Sequence, residues 1–390
     1  FVFKYLGFAV TNLKAVLGDS FLPQVDIALP IGISFFTFQA LSYVIDVYRD
    51  TVRVQKNPFY VALYIALFPQ LVAGPIVRYS TVAEEIRNRV HSWELLSEGA
   101  CRFVQGLAKK LLLANTFAVV ADNIYSLTEA GHQLVKIPVT LAWLGSFAYT
   151  LQIFFDFSGY SDMAIGIALL LGFRFNVNFD SPYQSATITE FWRRWHISLS
   201  SWLKDYLYIS LGGNRKGKIR TYINLLITML LGGLWHGASV SFILWGVLHG
   251  VALAVHKFVM NHFSSFKPLG SEMKPWRRVI GVLVTFHLVC FGWILFRADS
   301  MQTVGEMLTQ IFTNFHPEVF TQFVMGYKGV FVLMVVGYIL HFLPKSAENS
   351  LQAVVTRSPL LVQAVMLAIA IFVVVQFKSA GVQPFIYFQF

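Results

Sequence analysis

Residues 138–173 read PVTLAWLGSFAYTLQIFFDFSGYSDMAIGIALLLGF, and Asp156 and Asp162 are their only charged side chains. The run is continuous in its apolar character and does not alternate, which argues for helix in lipid and against a barrel strand. The spacing predicts two membrane segments here, at about 138–158 and 160–173. Comparable stretches fall at about 1–17, 28–48, 58–77, 221–235, 240–262, 278–296, 328–343 and 359–377. At roughly 20 residues per crossing, a chain of this length has room for on the order of ten segments.

Composition agrees. The chain has 390 residues, 56% of them hydrophobic and 13% charged, with a mean hydropathy of +0.60. A soluble domain carries about 25% charged residues, so disorder, a coiled coil and an ordinary soluble enzyme are excluded. The 37 Phe, 16 Tyr and 9 Trp suit interfacial belts and lipid-facing helices. The net charge of +10 reads as loop lysines and arginines that set topology, with lipid as the partner and no nucleic acid. Cys101 and Cys290 imply no disulfide framework. The opening FVFKYLGFAV starts at Phe1, so we expect an N-terminally truncated chain. No repeat, linker or soluble insert breaks 1–390, which reads as one all-α polytopic membrane domain.

Two regions depart from plain apolar helix. Residues 98–125 carry Arg102, Lys109 and Lys110 and read as an amphipathic helix or one packed inside a bundle. Residues 187–220 place Trp192, Trp195, His196, Leu199, Trp202 and Leu203 at helical spacing on one face, with Thr189 as a candidate N-cap. From Arg193 to Arg220 there are seven basic residues and one acid, Asp205, which predicts a cytoplasmic segment. It is either a topology-setting interfacial helix or the wall of a site for a phosphate-bearing substrate.

Ionisable groups inside membrane segments usually mark function. LLGGLWHGAS (230–239) sets His236 in a glycine-rich break, where close backbone approach is possible. A histidine there can serve as a general base, or be a hydrogen-bonded core residue. Asp156 and Asp162 need partners in apolar surroundings, and Arg174 or a histidine is expected to supply one. His249 and His256 share a face with Trp245, but a spacing of seven is not that of two metal ligands on one helix, so no metal is expected. Gly74-Pro75 predicts a kink beside Gln70 and Arg78. No phosphate loop, dinucleotide fingerprint, nucleophile elbow or zinc-protease motif occurs.

ITEFWRRWHISLSSWLKDYLYISLGGNRKG (188–217), followed by LLGGLWHGAS, resembles the membrane-bound O-acyltransferases. The likeness is greatest to their bacterial alginate O-acetyltransferase branch. It extends through LPIGISFFTFQALSYVIDVYR (29–49), LFPQLVAGPIVRY (67–79), FFDFSGYSDMAIG (154–166), FRFNVNFDSPY (173–183) and the tail QPFIYFQF (383–390). The resemblance implies a ring of tilted transmembrane and re-entrant helices around a central tunnel, and about two further helices before residue 1. It implies acetyl-CoA or another cytoplasmic acetyl thioester as donor, with no bound cofactor. His236 is then the catalytic histidine and His196 the second tunnel histidine, which orients the thioester or His236. Arg193, Arg194, Lys204, Arg215 and Lys216 (with Lys218) would attract the donor phosphates, and Asp156, Asp162 and His249 would be polar groups of the tunnel.

Tyr387, in a tail motif like that of the partner peptide in teichoic-acid D-alanylation, would relay the acyl group or anchor the tail at the interface. Arg357 before the last apolar run would place that tail outside. The resemblance thus implies a multi-pass protein of the bacterial inner membrane that O-acetylates an extracytoplasmic polysaccharide. Alginate comes first and peptidoglycan second, with a periplasmic SGNH-type transferase or accessory proteins as partners. A lipid or protein acyltransferase and a proton-coupled transporter are the competing classes.

Overall fold

The computed structural model describes residues 2–18, 27–28, 30–127, 139–263, 273–314, 316, 318–376 and 384–386. The described residues form helices and connecting turns with no strand, as the composition requires. In chain order the first helices are α1 (Val2–Leu17), α2 (Ile33–Tyr48), α3 (Pro58–Ala66), α4 (Tyr79–Val82), α5 (Trp93–Ala108) and α6 (Asn115–Ser126). Next come α7 (Val139–Leu170), α8 (Ile188–Arg194), α9 (Ile197–Trp202), α10 (Lys218–His236), α11 (Val240–His262) and α12 (Pro275–Arg297). The last are α13 (Met301–Thr313), α14 (Glu318–Gly326), α15 (Lys328–Phe342), α16 (Lys345–Arg357) and α17 (Leu360–Gln376). Side-chain caps start several of them. Ser92, Thr187, Ser239 and Ser300 each accept a hydrogen bond from the backbone N–H three residues on.

Among the described residues, four helices are long and apolar enough to cross a membrane: Trp93–Ser126, α7, α11 and α12. The first joins α5 to α6 through a π-helical turn, Lys109–Ala114. A fifth candidate, α14 with α15, is bent by 95°. The apolar stretches therefore do not map one to one onto crossings. Those at 138–158 and 160–173 fuse into α7, with Ser158 and Gly159 buried inside the helix. The stretch at 58–77 breaks after Ala66 into a 3₁₀ turn, Phe68–Gln70, and irregular chain. Its tight fold needs Gly74, where a Cβ would lie 2.5 Å from the Pro69 carbonyl oxygen. Residues 98–125, ambiguous in the sequence, belong to a membrane-length helix.

Helix α7 is the axis of the main core. Its most apolar window is 72% buried, against 28% to 39% for the other three spans, and it packs on α5, α6, α12 and α13. Contact with α5 is backbone to backbone. A Cβ on Gly106 would sit 2.4 Å from the Gly159 carbonyl oxygen, and one on Gly99 2.7 Å from that of Gly166. Small residues at this seven-residue spacing replace the hydrophobic drive that lipid removes. Helices α10 and α11 form a second tight pair, with Gly246 directly against the Met229 carbonyl.

Candidate active site

The expected continuous helix through WRRWH is broken at the histidine. Helix α8 ends at Arg194, Trp195 is extended, and His196 takes left-handed angles (φ 42°, ψ 57°) as the N-cap of α9. A non-glycine residue reaches that region only when its surroundings hold it there. The preceding loop supplies the hold. Asp180 N–H donates to the Arg194 carbonyl and Ile197 N–H to the Asn178 carbonyl, both at 2.9 Å. The Asn178 Oδ1 accepts from Ser198 N–H at 3.1 Å and from Ser198 Oγ at 2.9 Å, and it lies 3.2 Å from His196 Nδ1. An acceptor on Nδ1 assigns that proton to Nδ1 and leaves Nε2 as the free lone pair. His196 is fully buried, and its Nε2 has no hydrogen-bond partner among the described residues.

His236 is the last residue of α10, and the chain leaves the helix through extended Gly237. The glycine-rich stretch does what its composition suggested. A Cβ on Gly233 would meet the Phe242 carbonyl oxygen at 2.2 Å, and one on Gly237 the Phe242 ring at 2.2 Å. The imidazole is boxed by Trp235 (5.0 Å between ring centroids), Trp245 (5.1 Å), Phe296 (5.0 Å) and Phe242 (6.4 Å). His196 reaches the same Trp235 ring from another direction at 6.1 Å. The two histidines thus share one indole. His249 belongs to the same cluster, 4.7 Å from Trp245 and 5.2 Å from Trp192. His256 instead pairs through Nδ1 with Thr189 Oγ1 at 2.8 Å, and Thr187, not Thr189, caps α8.

An aromatic column leaves this cluster. The Trp235 ring lies 5.5 Å from Phe38, Phe38 stacks on Trp202 at 3.8 Å and 9°, and Trp202 lies 5.1 Å from Tyr206. Tyr206 lines a cavity of about 260 Å³ together with Asp46, Arg49, Arg78 and Asp205. Both guanidiniums stand over its ring, at 5.5 Å for Arg49 and 5.1 Å for Arg78. Burial, and then its 2.7 Å hydrogen bond to Asp46 Oδ2, push the Tyr206 hydroxyl above its ordinary pKa, so it remains a donor. Arg78 pairs with Asp205 at 2.7 Å. Sequence pattern put Arg78 only beside a kink and marked no role for Arg49. Arg49 comes from the end of α2 and Arg78 from the chain after Gly74, a convergence that periodicity does not reveal.

The residues expected to attract phosphates differ in their surroundings. Arg194 is committed to Glu190 at 3.0 Å and to the Asp180 carbonyl at 3.1 Å. Arg193, Lys204, Arg215 and Lys216 are exposed. Among the described residues, the two membrane acids do not pair with Arg174 or a histidine. Asp162 binds Lys109 at 2.7 Å and Arg102 at 3.1 Å across the α5–α7 contact. Asp156 binds Lys110 at 2.7 Å, and its other oxygen accepts the Ile386 N–H at 2.8 Å. Residues 385 and 386 of the C-terminal tail are therefore docked in the core. Ile386 is fully buried, and Phe385 stacks on Tyr160 at 4.4 Å. Phe385 also lies 6.2 Å from Phe157, whose ring is 4.6 Å from His196. Tyr387 lies outside the described residues.

Comparison with known proteins places these features in a family context. The model of the MBOAT, membrane-bound O-acyltransferase, family matches residues 33–301. The chain is 48% identical over 316 residues to a probable alginate O-acetylase AlgI of Pseudomonas syringae pv. tomato, covering 80% of this chain and 58% of the relative. It is 36% identical over 333 residues to a peptidoglycan O-acetyltransferase of Helicobacter pylori, covering 78% and 61%. It is 30% identical over 288 residues to a teichoic acid D-alanyltransferase of Streptococcus thermophilus, covering 68% of each. The chain thus spans about three-fifths of the length of the first two relatives.

The Asp156–Lys110 pair makes one prediction. Lys110→Met leaves a buried carboxylate uncompensated and costs about 3 kcal/mol or more. The variant should melt well below the wild type in detergent, and a cysteine at position 385 should become reactive to maleimide. A Phe385→Cys probe equally protected with and without Lys110 would show that the pair does not hold the tail.

Proposed function

The chain belongs to the membrane-bound O-acyltransferase family, and on that premise we propose that it moves acetyl groups from a cytoplasmic acetyl thioester to an extracytoplasmic polysaccharide, in the bacterial inner membrane. The observation that carries the reading is the pair of histidines on the Trp235 ring. His236 stands at a helix end, and His196 is pinned through Asn178. Acyl transfer needs a base for the attacking hydroxyl and a polar group at the thioester carbonyl. His236 takes the hydroxyl proton as the oxygen attacks the carbonyl carbon, and returns it to the thiolate as the C–S bond breaks. His196, with Nδ1 held by Asn178, orients the thioester. The surrounding aromatic rings exclude water that would hydrolyse it.

The donor is acetyl-CoA. Its phosphate-bearing end fits the cavity at Arg49 and Arg78, where forked guanidiniums can meet phosphate oxygens. The aromatic column from Tyr206 to Trp235 marks the way inward. Alginate is the favoured acceptor over peptidoglycan, because identity to the relative named for alginate is 48% against 36% for the one named for peptidoglycan. A periplasmic transferase of the SGNH type completes delivery. Tyr387, next in the chain after the docked Ile386, relays the acetyl group to it. Proton coupling through Asp156 and Asp162 is disfavoured, since each is ion-paired with a lysine.

Three outcomes are expected with the full-length protein in detergent. His236→Ala should lower thiol release from acetyl-CoA by about a thousandfold while the protein stays folded. Turnover unchanged in that variant would exclude the chemistry. Arg78→Ala should raise KM for acetyl-CoA about tenfold with kcat largely kept; an unaltered KM moves the donor elsewhere. Mass spectrometry of the C-terminal peptide after incubation with donor should find acetyl on Tyr387. An unmodified peptide, with transfer intact in Tyr387→Phe, removes the relay.

A further inference from the structure

One cation beside the histidine pair has no part in the mechanism above. Lys4, on α1, extends its side chain into the bundle. Its Nζ donates to Ser34 Oγ at 2.9 Å and to the Trp235 carbonyl oxygen. It stands 5.8 Å from the centroid of the Trp235 ring, the ring that both His196 and His236 contact. The peptide carbonyl it binds is the one bonded to the His236 nitrogen. Among the described residues no carboxylate lies within ion-pairing distance of Lys4. The other lysines on the bundle's inner contacts, Lys109 and Lys110, each hold an aspartate at 2.7 Å.

Capping alone does not account for a charge here. The final carbonyls of α10 lack intrahelical donors, and a cation near them is favourable. The neighbouring Leu234 carbonyl is already bonded by the Tyr5 hydroxyl at 3.0 Å, without any charge. A neutral donor at position 4 would serve the Trp235 carbonyl equally well. An ammonium in apolar surroundings is costly, and it is retained where negative charge must be met. Acyl transfer creates such a charge at this place. When the hydroxyl oxygen bonds to the thioester carbon, the carbonyl π pair moves onto oxygen, and it returns when the C–S bond breaks.

We propose that Lys4 is the counter-charge for this oxyanion. It is a positive group fixed at the end of α10 by Ser34 and the Trp235 carbonyl. Its dipolar partners hold the ammonium in place without cancelling its charge, so its field acts on the intermediate through the low-dielectric aromatic box. This role rests on the acetyl-transfer reading and adds to it a residue that lies outside the matched family region, 33–301.

The test compares Lys4→Gln, Lys4→Arg and Tyr5→Phe with wild type and His236→Ala, all full-length, following thiol release from acetyl-CoA and thermal melting. Gln keeps amide donors for both partners and removes the charge, whereas Arg keeps the charge. Lys4→Gln should lower kcat by about a hundredfold, with KM within about twofold and melting unchanged. Lys4→Arg should recover most of that loss. Tyr5→Phe, which removes a cap and no charge, should leave kcat within about twofold. A Lys4→Gln enzyme as fast as wild type overturns the role and leaves the acetyl-transfer reading standing. Equal losses in Lys4→Gln and Tyr5→Phe reduce Lys4 to a cap. A wild type with no His236-dependent turnover overturns the acetyl-transfer reading and this role together.

Discussion

Helices α5 and α7 meet through glycine, and much of the molecule follows from that contact. Gly99 and Gly106 lie against the carbonyls of Gly166 and Gly159, and the approach is reciprocal at both levels. So close an approach brings the flanking side chains into register. Arg102 and Lys109 close on Asp162, and Lys110 closes on Asp156. These charges would be ruinous in lipid if exposed singly, and the helix contact keeps them paired. The π-helical turn at Lys109–Ala114 adds one residue to the turn just where two successive lysines must both face α7. Because Asp156 is held from one side by Lys110, its second oxygen remains to capture the Ile386 N–H. A packing contact between two helices thereby sets where Ile386 lies.

The same division of labour recurs at the histidines. His236 is placed by helix geometry, at the end of α10 where glycines let α11 return at once. His196 is placed by a carboxamide. The Asn178 Oδ1 meets the Ser198 N–H, the Ser198 hydroxyl and the His196 imidazole, and its main-chain carbonyl accepts the Ile197 N–H, so one residue fixes both a left-handed backbone and a tautomer. Strain of that kind costs of order 1–3 kcal/mol and is offset by the loop's backbone bonds to α8 and α9. Trp235 then fixes the relation between the two imidazoles, because both pack on it and neither can shift without disturbing the other's contact.

Much of this was legible in the sequence. Continuous apolar runs gave the helical membrane class, and the motifs around His196 and His236 gave the family. The glycines of LLGGLWHGAS announced a close approach that the structure contains. Local pattern misleads where distant partners override it. The amphipathic spacing through 192–203 implied an unbroken helix because periodicity cannot register Asn178, which breaks it from eighteen residues away. Asp156 could not be matched to Lys110 or to the tail without knowing that α5 and α7 touch. Arg49, at the end of α2, and Arg78, after the turn at Gly74, meet over one tyrosine ring, which no local pattern shows.

The distribution of charge along α10 carries the last step. Its first residue, Lys218, stands among exposed cations, and its last, His236, stands in a box of aromatic rings. Eighteen residue steps of helix put about 27 Å between them, so those exposed cations cannot act on the chemistry at His236. They suit an aqueous boundary and anionic headgroups. A charge that is to matter at His236 must come from an element that enters the bundle beside the helix end. Among the described basic residues, the side chain of Lys4 makes that entrance, bonded to the carbonyl that precedes the histidine. The far end of α10 thus faces the boundary, while the near end joins one base, one pinned imidazole and one cation around a single indole ring.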